Sequence, residues 1–191
     1  MDNLNSPVIV LAGFSAVGKT TLGGIYSELY GLDYIDHQKL VHQLAEQKGY
    51  ERARYWLADV GTVHFVRESV HEMVTRISSS KNDVGILIDA SYGEFMIQLL
   101  KESFPQRRIV IVSVEAGEEV REMRMMGRMG AERGVAIQEL KFRDRFLRGV
   151  GVEGTMLNAD ITVHNTRELD QTINSLSGEL ERIGVTFPRM I

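Results

Sequence analysis

Residues 13 to 20 limit the possible folds of this chain more than any other segment. Gly13-Phe14-Ser15-Ala16-Val17-Gly18-Lys19-Thr20 reads G-x-x-x-x-G-K-[ST], a loop that wraps phosphate when a buried strand leads into it and a helix starts directly behind it. Both flanks are present. Val8-Ile9-Val10-Leu11-Ala12 is a continuous apolar run that reads as a buried strand, and Thr21 to Leu29 reads as the helix. In such a loop successive backbone N–H groups face one anion, and the helix N-terminus adds positive potential. Gly13 and Gly18 permit the turn, and Ser15, Ala16, Val17, Gly18, Lys19, Thr20 and Thr21 are the positions that would meet a nucleoside triphosphate. Lys19 would neutralise phosphate charge, and the Thr20 hydroxyl would ligate Mg²⁺.

The remaining apolar runs are Leu32–Asp36, Val84–Asp89, Ile109–Val114 and Ile161–His164, each read as a strand. Helical patterns separate them: about Gly18 to Tyr30, His37 to Gln47, Glu51 to Ser79 with a break near Gly61, Gly93 to Glu102, Glu118 to Met129, Ala136 to Leu147 and Glu168 to Ile183. In the long one, Trp56, Leu57, Val60, Val63 and Val66 follow helical spacing, and Ser78 to Asp83 reads as a loop. Runs apolar on both faces and separated by helices predict a five-stranded parallel sheet covered by helices on both sides. With 191 residues and no linker, the chain reads as a single domain whose ligands bind at the carboxyl ends of the strands.

Composition removes several functional classes. The chain is 43% hydrophobic and 25% charged, enough to bury a core. It has no cysteine, which excludes disulfides and thiolate metal sites and suits a reducing cytoplasm. Met1 to Pro7 lacks a basic segment followed by an apolar one, so no secretory leader is expected. No apolar run reaches the roughly 18 residues of a membrane span, so no membrane partner is expected. A net charge of −4 argues against a surface that coats nucleic acid.

Two acids close strands where a nucleotide face would form. Asp89 ends Ile86-Leu87-Ile88-Asp89 and is the candidate Mg²⁺ carboxylate, the alternative being that Asp89 or Ser91 caps the next helix. Asp36 could orient or deprotonate an acceptor hydroxyl, or cap the His37–Gln47 helix. Arg121, Arg124 and Arg128 share one helix face, and three cations on one face favour an anion such as a transferring phosphoryl group. Gly127, Gly130 and Gly134 around them predict a hinged, Arg-rich lid spanning about 121–146. Arg143 and Arg145, flanking Asp144, would join the lid or form an ion-pair network. Met123, Met125, Met126 and Met129 read as adaptable packing and Trp56 as core, while His37 and Tyr92 are weaker candidates for substrate contact. A guanine-nucleotide switch is disfavoured: Asp89 is followed by Ala90-Ser91-Tyr92, not by x-x-G, and no N-K-x-D occurs.

Taken together, these features resemble the P-loop kinases of the nucleoside-monophosphate-kinase superfamily, similar to dephospho-CoA kinases with their archaeal relatives and to adenylate-cytidylate-kinase-like proteins. Gly13–Thr20, Ile88-Asp89-Ala90, the R-x-x-x-R of Arg124 to Arg128, Phe142-Arg143-Asp144 and Asn158-Ala159-Asp160-Ile161-Thr162-Val163-His164-Asn165 carry the resemblance. It implies an ATP- and Mg²⁺-dependent phosphotransferase with a small-molecule acceptor. It also implies that Arg124 and Arg128 contact ATP and the transferred phosphate, Asn165 borders the adenine, and Arg133 plays a lesser lid role. Helices from about 37 to 80 would bind the acceptor. The chain departs from the pattern in three ways, the first being that its second strand lacks the Asp-Ala-Asp of dephospho-CoA kinases, so the resemblance carries over only loosely to Asp36. No paired aspartates follow Arg133, and Ala90-Ser91-Tyr92-Gly93 replaces the Gly-Phe-Pro-Arg-like stretch that binds a nucleoside monophosphate. The acceptor is therefore expected to be dephospho-CoA-like or nucleotide-like, with a modified nucleotide in DNA or a non-catalytic ATP-binding role as alternatives.

Overall fold

The first strand, β1 (Val8–Ala12), is buried along its whole length, and its alternating side chains divide the protein into two cores. The computed structural model describes residues 6–90, 92–166 and 168–190. Beside β1 lie β3 (Ile86–Asp89) and β4 (Ile109–Glu115), with β2 (Asp33–Asp36) and β5 (Ile161–His164) at the edges. The order is β2-β3-β1-β4-β5 and every pairing is parallel.

Val8, Val10 and Ala12 face one layer, built from α2 (His37–Gln47), α3 (Ala53–Ser79), α4 (Glu94–Ser103) and α7 (Val152–Leu157). Ile9 and Leu11 face the other, built from α1 (Lys19–Tyr30) and α8 (Leu169–Arg182). The remaining helices, α5 (Glu118–Met129) and α6 (Arg133–Gly149), pack on each other around Met125, Ala136 and Leu140. Ala16 of the glycine-rich loop packs against that small cluster, so the helix pair sits directly over the loop.

Several expectations shift. Gly61 has φ 78° and ψ 162°, and this non-helical joint within α3 resets the phase of its apolar face. Phe65, Val70, Met73 and Ile77 turn inward after it, while Val63, expected on the buried face, is 76% exposed. Ser78 and Ser79 finish α3 instead of opening the loop. α7 was not legible: six residues containing Gly154 are too short to show a period. Met123 and Met129 are exposed, so only Met125 and Met126 of that group pack. Trp56 is core, as expected. Among the described residues, no helix is long and apolar enough to cross a membrane.

Candidate active site

The loop between β1 and α1 is held open from behind. Gly18 has φ +96°, and a Cβ there would lie 2.3 Å from Asn165 Nδ2, so both backbone and space require glycine. Asn165 Nδ2 donates to Val17 O at 2.8 Å, and its Oδ1 accepts from Thr172 Oγ1 at 3.2 Å. Arg124 donates through Nη1 to Val17 O (2.9 Å) and through Nη2 to Asn165 O (2.9 Å). These bonds satisfy the Val17 carbonyl and tie the loop to α5 and to the residue that follows β5. Ala16 is the only non-glycine among the described residues with positive φ (60°), a strained state that the packing of α5 and α6 maintains.

Lys19 lies within the loop, its Nζ donating to Gly13 O (2.9 Å) and Phe14 O (3.1 Å). Enclosure of the ammonium holds its pKa below the ordinary lysine value, and Asp89 and Asp144 partly offset this. Thr20 and Thr21 are exposed at the start of α1. Thr20 Oγ1 donates to Asp89 Oδ2 at 2.5 Å, joining the loop to the end of β3. Asp89 is only 7% exposed, and burial raises its pKa against the opposing pull of Lys19. A buried carboxylate beside a hydroxyl, both hard oxygen donors, fits Mg²⁺, which takes one or two protein oxygens and completes its shell with phosphate and water. No cluster of three or more His, Cys, Asp or Glu suited to a metal occurs among the described residues.

Asp36 pairs in register with Asp89 on the neighbouring strand. Its Oδ1 accepts from Lys39 N at 3.0 Å, so it is the N-cap of α2. Its side chain borders a side groove with Lys39 and Arg76, outside the main cleft. Asp89 caps no helix: Gly93 occupies the cap position of α4 without a side-chain bond, and Ser91, the other candidate cap, lies outside the described residues.

The main cleft has a volume of about 790 Å³ and runs from Lys19, Thr20 and Asp89 to a wall formed by α2, α3 and α6. That far wall is largely apolar, with Val41, Leu57, Phe65, Phe142 and Phe146, and Arg54 and Arg143 also line it. Arg128 reaches the cleft without a hydrogen-bond partner among the described residues. Arg133 pairs with Glu122, and Arg143 with Glu139. His37 stands edge-on to Tyr92, with centroids 4.4 Å apart. It is 7% exposed with a buried, unpartnered Nε2, and burial lowers its pKa to about 4.

Two features of the site escaped the sequence. Asp144 is buried and accepts from the Ser15 backbone N–H (3.2 Å) and from Arg121 Nη1 (2.7 Å). Arg121 and Arg148 both lie over the Phe14 ring, with guanidinium carbons 5.7 and 4.9 Å from its centroid. Helical spacing put Arg121 on a shared face, but nothing in the sequence links residue 144 to residue 15.

The sheet order, the loop and the overlying helix pair define the P-loop kinase fold. The structure is similar to a gluconokinase from Sinorhizobium meliloti 1021 (TM-score 0.62, 18% identity, 93% of each chain covered). It is also similar to a shikimate kinase from Bacteroides thetaiotaomicron (TM-score 0.66, 15% identity, 92% of this chain and 98% of that one). At these identities the likeness is one of fold. In sequence, the chain is 26% identical over 178 residues to a UPF0200/UPF0201 protein of Archaeoglobus fulgidus, covering 91% of this chain but 54% of that protein, so it spans about half the relative's length. It is 21% identical over 189 residues to a UPF0200 protein of Thermococcus sibiricus, covering 93% of this chain and 96% of that protein. No family model matches the chain.

Proposed function

We propose that this protein is an ATP- and Mg²⁺-dependent phosphotransferase that moves the γ-phosphate of ATP to a dephospho-CoA-like or nucleotide-like small-molecule acceptor. The observation that carries the reading is the Thr20–Asp89 contact, which sits between a phosphate-wrapping loop and a cleft large enough for a second substrate. Loop amides and Lys19 hold the phosphates, and Thr20 and Asp89 hold Mg²⁺, which when bound spreads the developing negative charge. Asp36, beside Asp89, adds negative potential for the cation. Arg128 supplies an unspent positive charge on the phosphoryl path. Arg124 and Asn165 act through the loop they brace, and the adenine would lie along Asn165 and Leu169 at the cleft's edge. The apolar far wall, flanked by Arg54 and Arg143, suits an acceptor with an apolar or aromatic body and an anionic group better than it suits a small polyol.

The test is transfer of label from γ-labelled ATP to dephospho-CoA, nucleosides, nucleoside monophosphates, gluconate and shikimate. Labelled product is expected from the first three classes, and Lys19→Ala is expected to reduce its rate by about 10²–10³-fold. Tight ATP binding with no transfer to any acceptor, or full transfer by Lys19→Ala, overturns the reading.

A further inference from the structure

The carboxylate of Asp144 occupies a loop amide. Its Oδ1 accepts from Ser15 N, and its Oδ2 accepts from Arg121 Nη1, which also donates to Ser15 O at 3.3 Å. Ser15 lines the cleft on the limb of the loop that precedes α1. Amides at the α1 end of the loop hold the inner phosphates of a nucleotide, so the outermost phosphate extends past Lys19 toward the cleft. Asp144 also lies near enough to Lys19 to act on its charge. A carboxylate and a terminal phosphate are both anions and accept the same N–H donors. They cannot share this corner without strong repulsion.

We infer that Asp144 competes with the terminal phosphate of a nucleoside triphosphate for the Ser15 amide and the Arg121 guanidinium, and thereby sets the balance between triphosphate and diphosphate binding. This rests on the proposed reading that the loop takes ATP. With a diphosphate bound, Asp144 keeps both partners. With a triphosphate bound, the carboxylate leaves, and Arg121 is freed to face the γ-phosphate. Arg148 of α6 also lies over the Phe14 ring, 4.9 Å from its centroid, a contact that does not involve the carboxylate, so α6 keeps a hold on the loop in both states.

Calorimetric titration of the wild type and Asp144→Asn with Mg²⁺-ADP and Mg²⁺-β,γ-imido-ATP tests the inference. Asparagine keeps an acceptor for Ser15 N–H but removes the charge. The triphosphate analogue is expected to bind about tenfold more tightly to the variant, with ADP affinity changed less than about twofold, because a hydrogen bond to a charged group is the one lost in exchange. A second measurement uses the wild type alone. The Ser15 backbone amide resonance should shift on adding the triphosphate analogue and stay near its nucleotide-free position with ADP. A variant that gains or loses affinity for both nucleotides equally, or a Ser15 amide that shifts as far with ADP, overturns the inference while leaving the kinase reading intact. If neither nucleotide binds the wild type, both fall.

Discussion

On the nucleotide side of the cleft, nearly every polar group near residues 13–20 has a partner. Val17 O is shared by Arg124 and Asn165, Lys19 bonds two loop carbonyls, Thr20 bonds Asp89, and Ser15 bonds Asp144. On the far side, where the proposed acceptor would bind, the wall formed by α2, α3 and α6 is largely apolar, and the buried His37 Nε2 has no partner among the described residues. On the proposed reading the first wall suits one ligand chemistry, since phosphate would meet backbone dipoles already fixed by these braces, with the Asp144 contact the one to be given up. The second recognises by shape and burial, and its selectivity resides in which side chains α2, α3 and α6 bring together.

Asp89 gives the sharpest test of this contrast. On the nucleotide wall one substitution should remove a function without loosening the structure. Asp89→Asn is expected to lower phosphotransfer by about 10²–10³-fold and to raise the Mg²⁺ concentration needed for half-maximal rate. The folded pKa of Asp89 is raised. Its contribution to stability is therefore present below the unfolded carboxylate value and lost as pH rises through the folded one. The folded protein disfavours the charge on Asp89, so this group costs the empty protein stability as pH rises, and Asp89→Asn, which stays neutral, should melt above the wild type at neutral pH when nucleotide is absent. Measurement of Mg²⁺ dependence together with thermal unfolding checks both halves. A variant that melts lower and keeps its activity would show that Asp89 is structural and break the contrast.

The acceptor wall predicts a different pH signature. The folded pKa of His37, about 4, lies below its ordinary 6.5 because the ring is buried without a partner. Between those values the unfolded chain binds a proton that the folded protein refuses. Stability should therefore fall as pH drops from 6.5 toward 4, by on the order of 3 kcal/mol in all. His37→Phe keeps a ring against Tyr92 but cannot titrate. Between pH 6.5 and 4 its melting temperature should fall by roughly 6–12 °C less than that of the wild type, at about 2–4 °C per kcal/mol for a chain of this size. Equal slopes in thermal unfolding across that range would mean that His37 reaches solvent or a partner in solution, and that the acceptor wall is not dry.

The same contrast explains what was legible in the sequence. The loop, the strand ending in Asp89, the five parallel strands and the Arg121–Arg124–Arg128 face were readable because each depends on a local pattern: a motif, an apolar run or a helical spacing. Asp36 was readable only as one of two alternatives, and its bond to Lys39 N realises the cap. Asp144 on Ser15 N and Arg148 on Phe14 were not readable, because contacts spanning more than a hundred residues leave no local trace. The misplacement of Val63 has the opposite origin. Its spacing fits an unbroken helix, whereas Gly61, the expected break, changes the helix phase before residue 63.

The smallest expected effect bears most directly on acceptor selection. Phe142 is 70% exposed and lines the cleft from α6. Little of its surface is buried by folding, so Phe142→Ala should leave the melting temperature within about 2 °C, as for substitutions outside the core. A ring standing open on an apolar wall is nonetheless available to cover a flat or apolar part of a ligand, and such a contact is worth about 0.5–1.5 kcal/mol beyond burial alone. Phe142→Ala should therefore raise KM for the acceptor several-fold while KM for ATP stays unchanged. Steady-state kinetics with each substrate varied in turn separates the two constants. A rise in KM for ATP with no change for the acceptor would move Phe142 to the nucleotide wall and with it the division of the cleft drawn here.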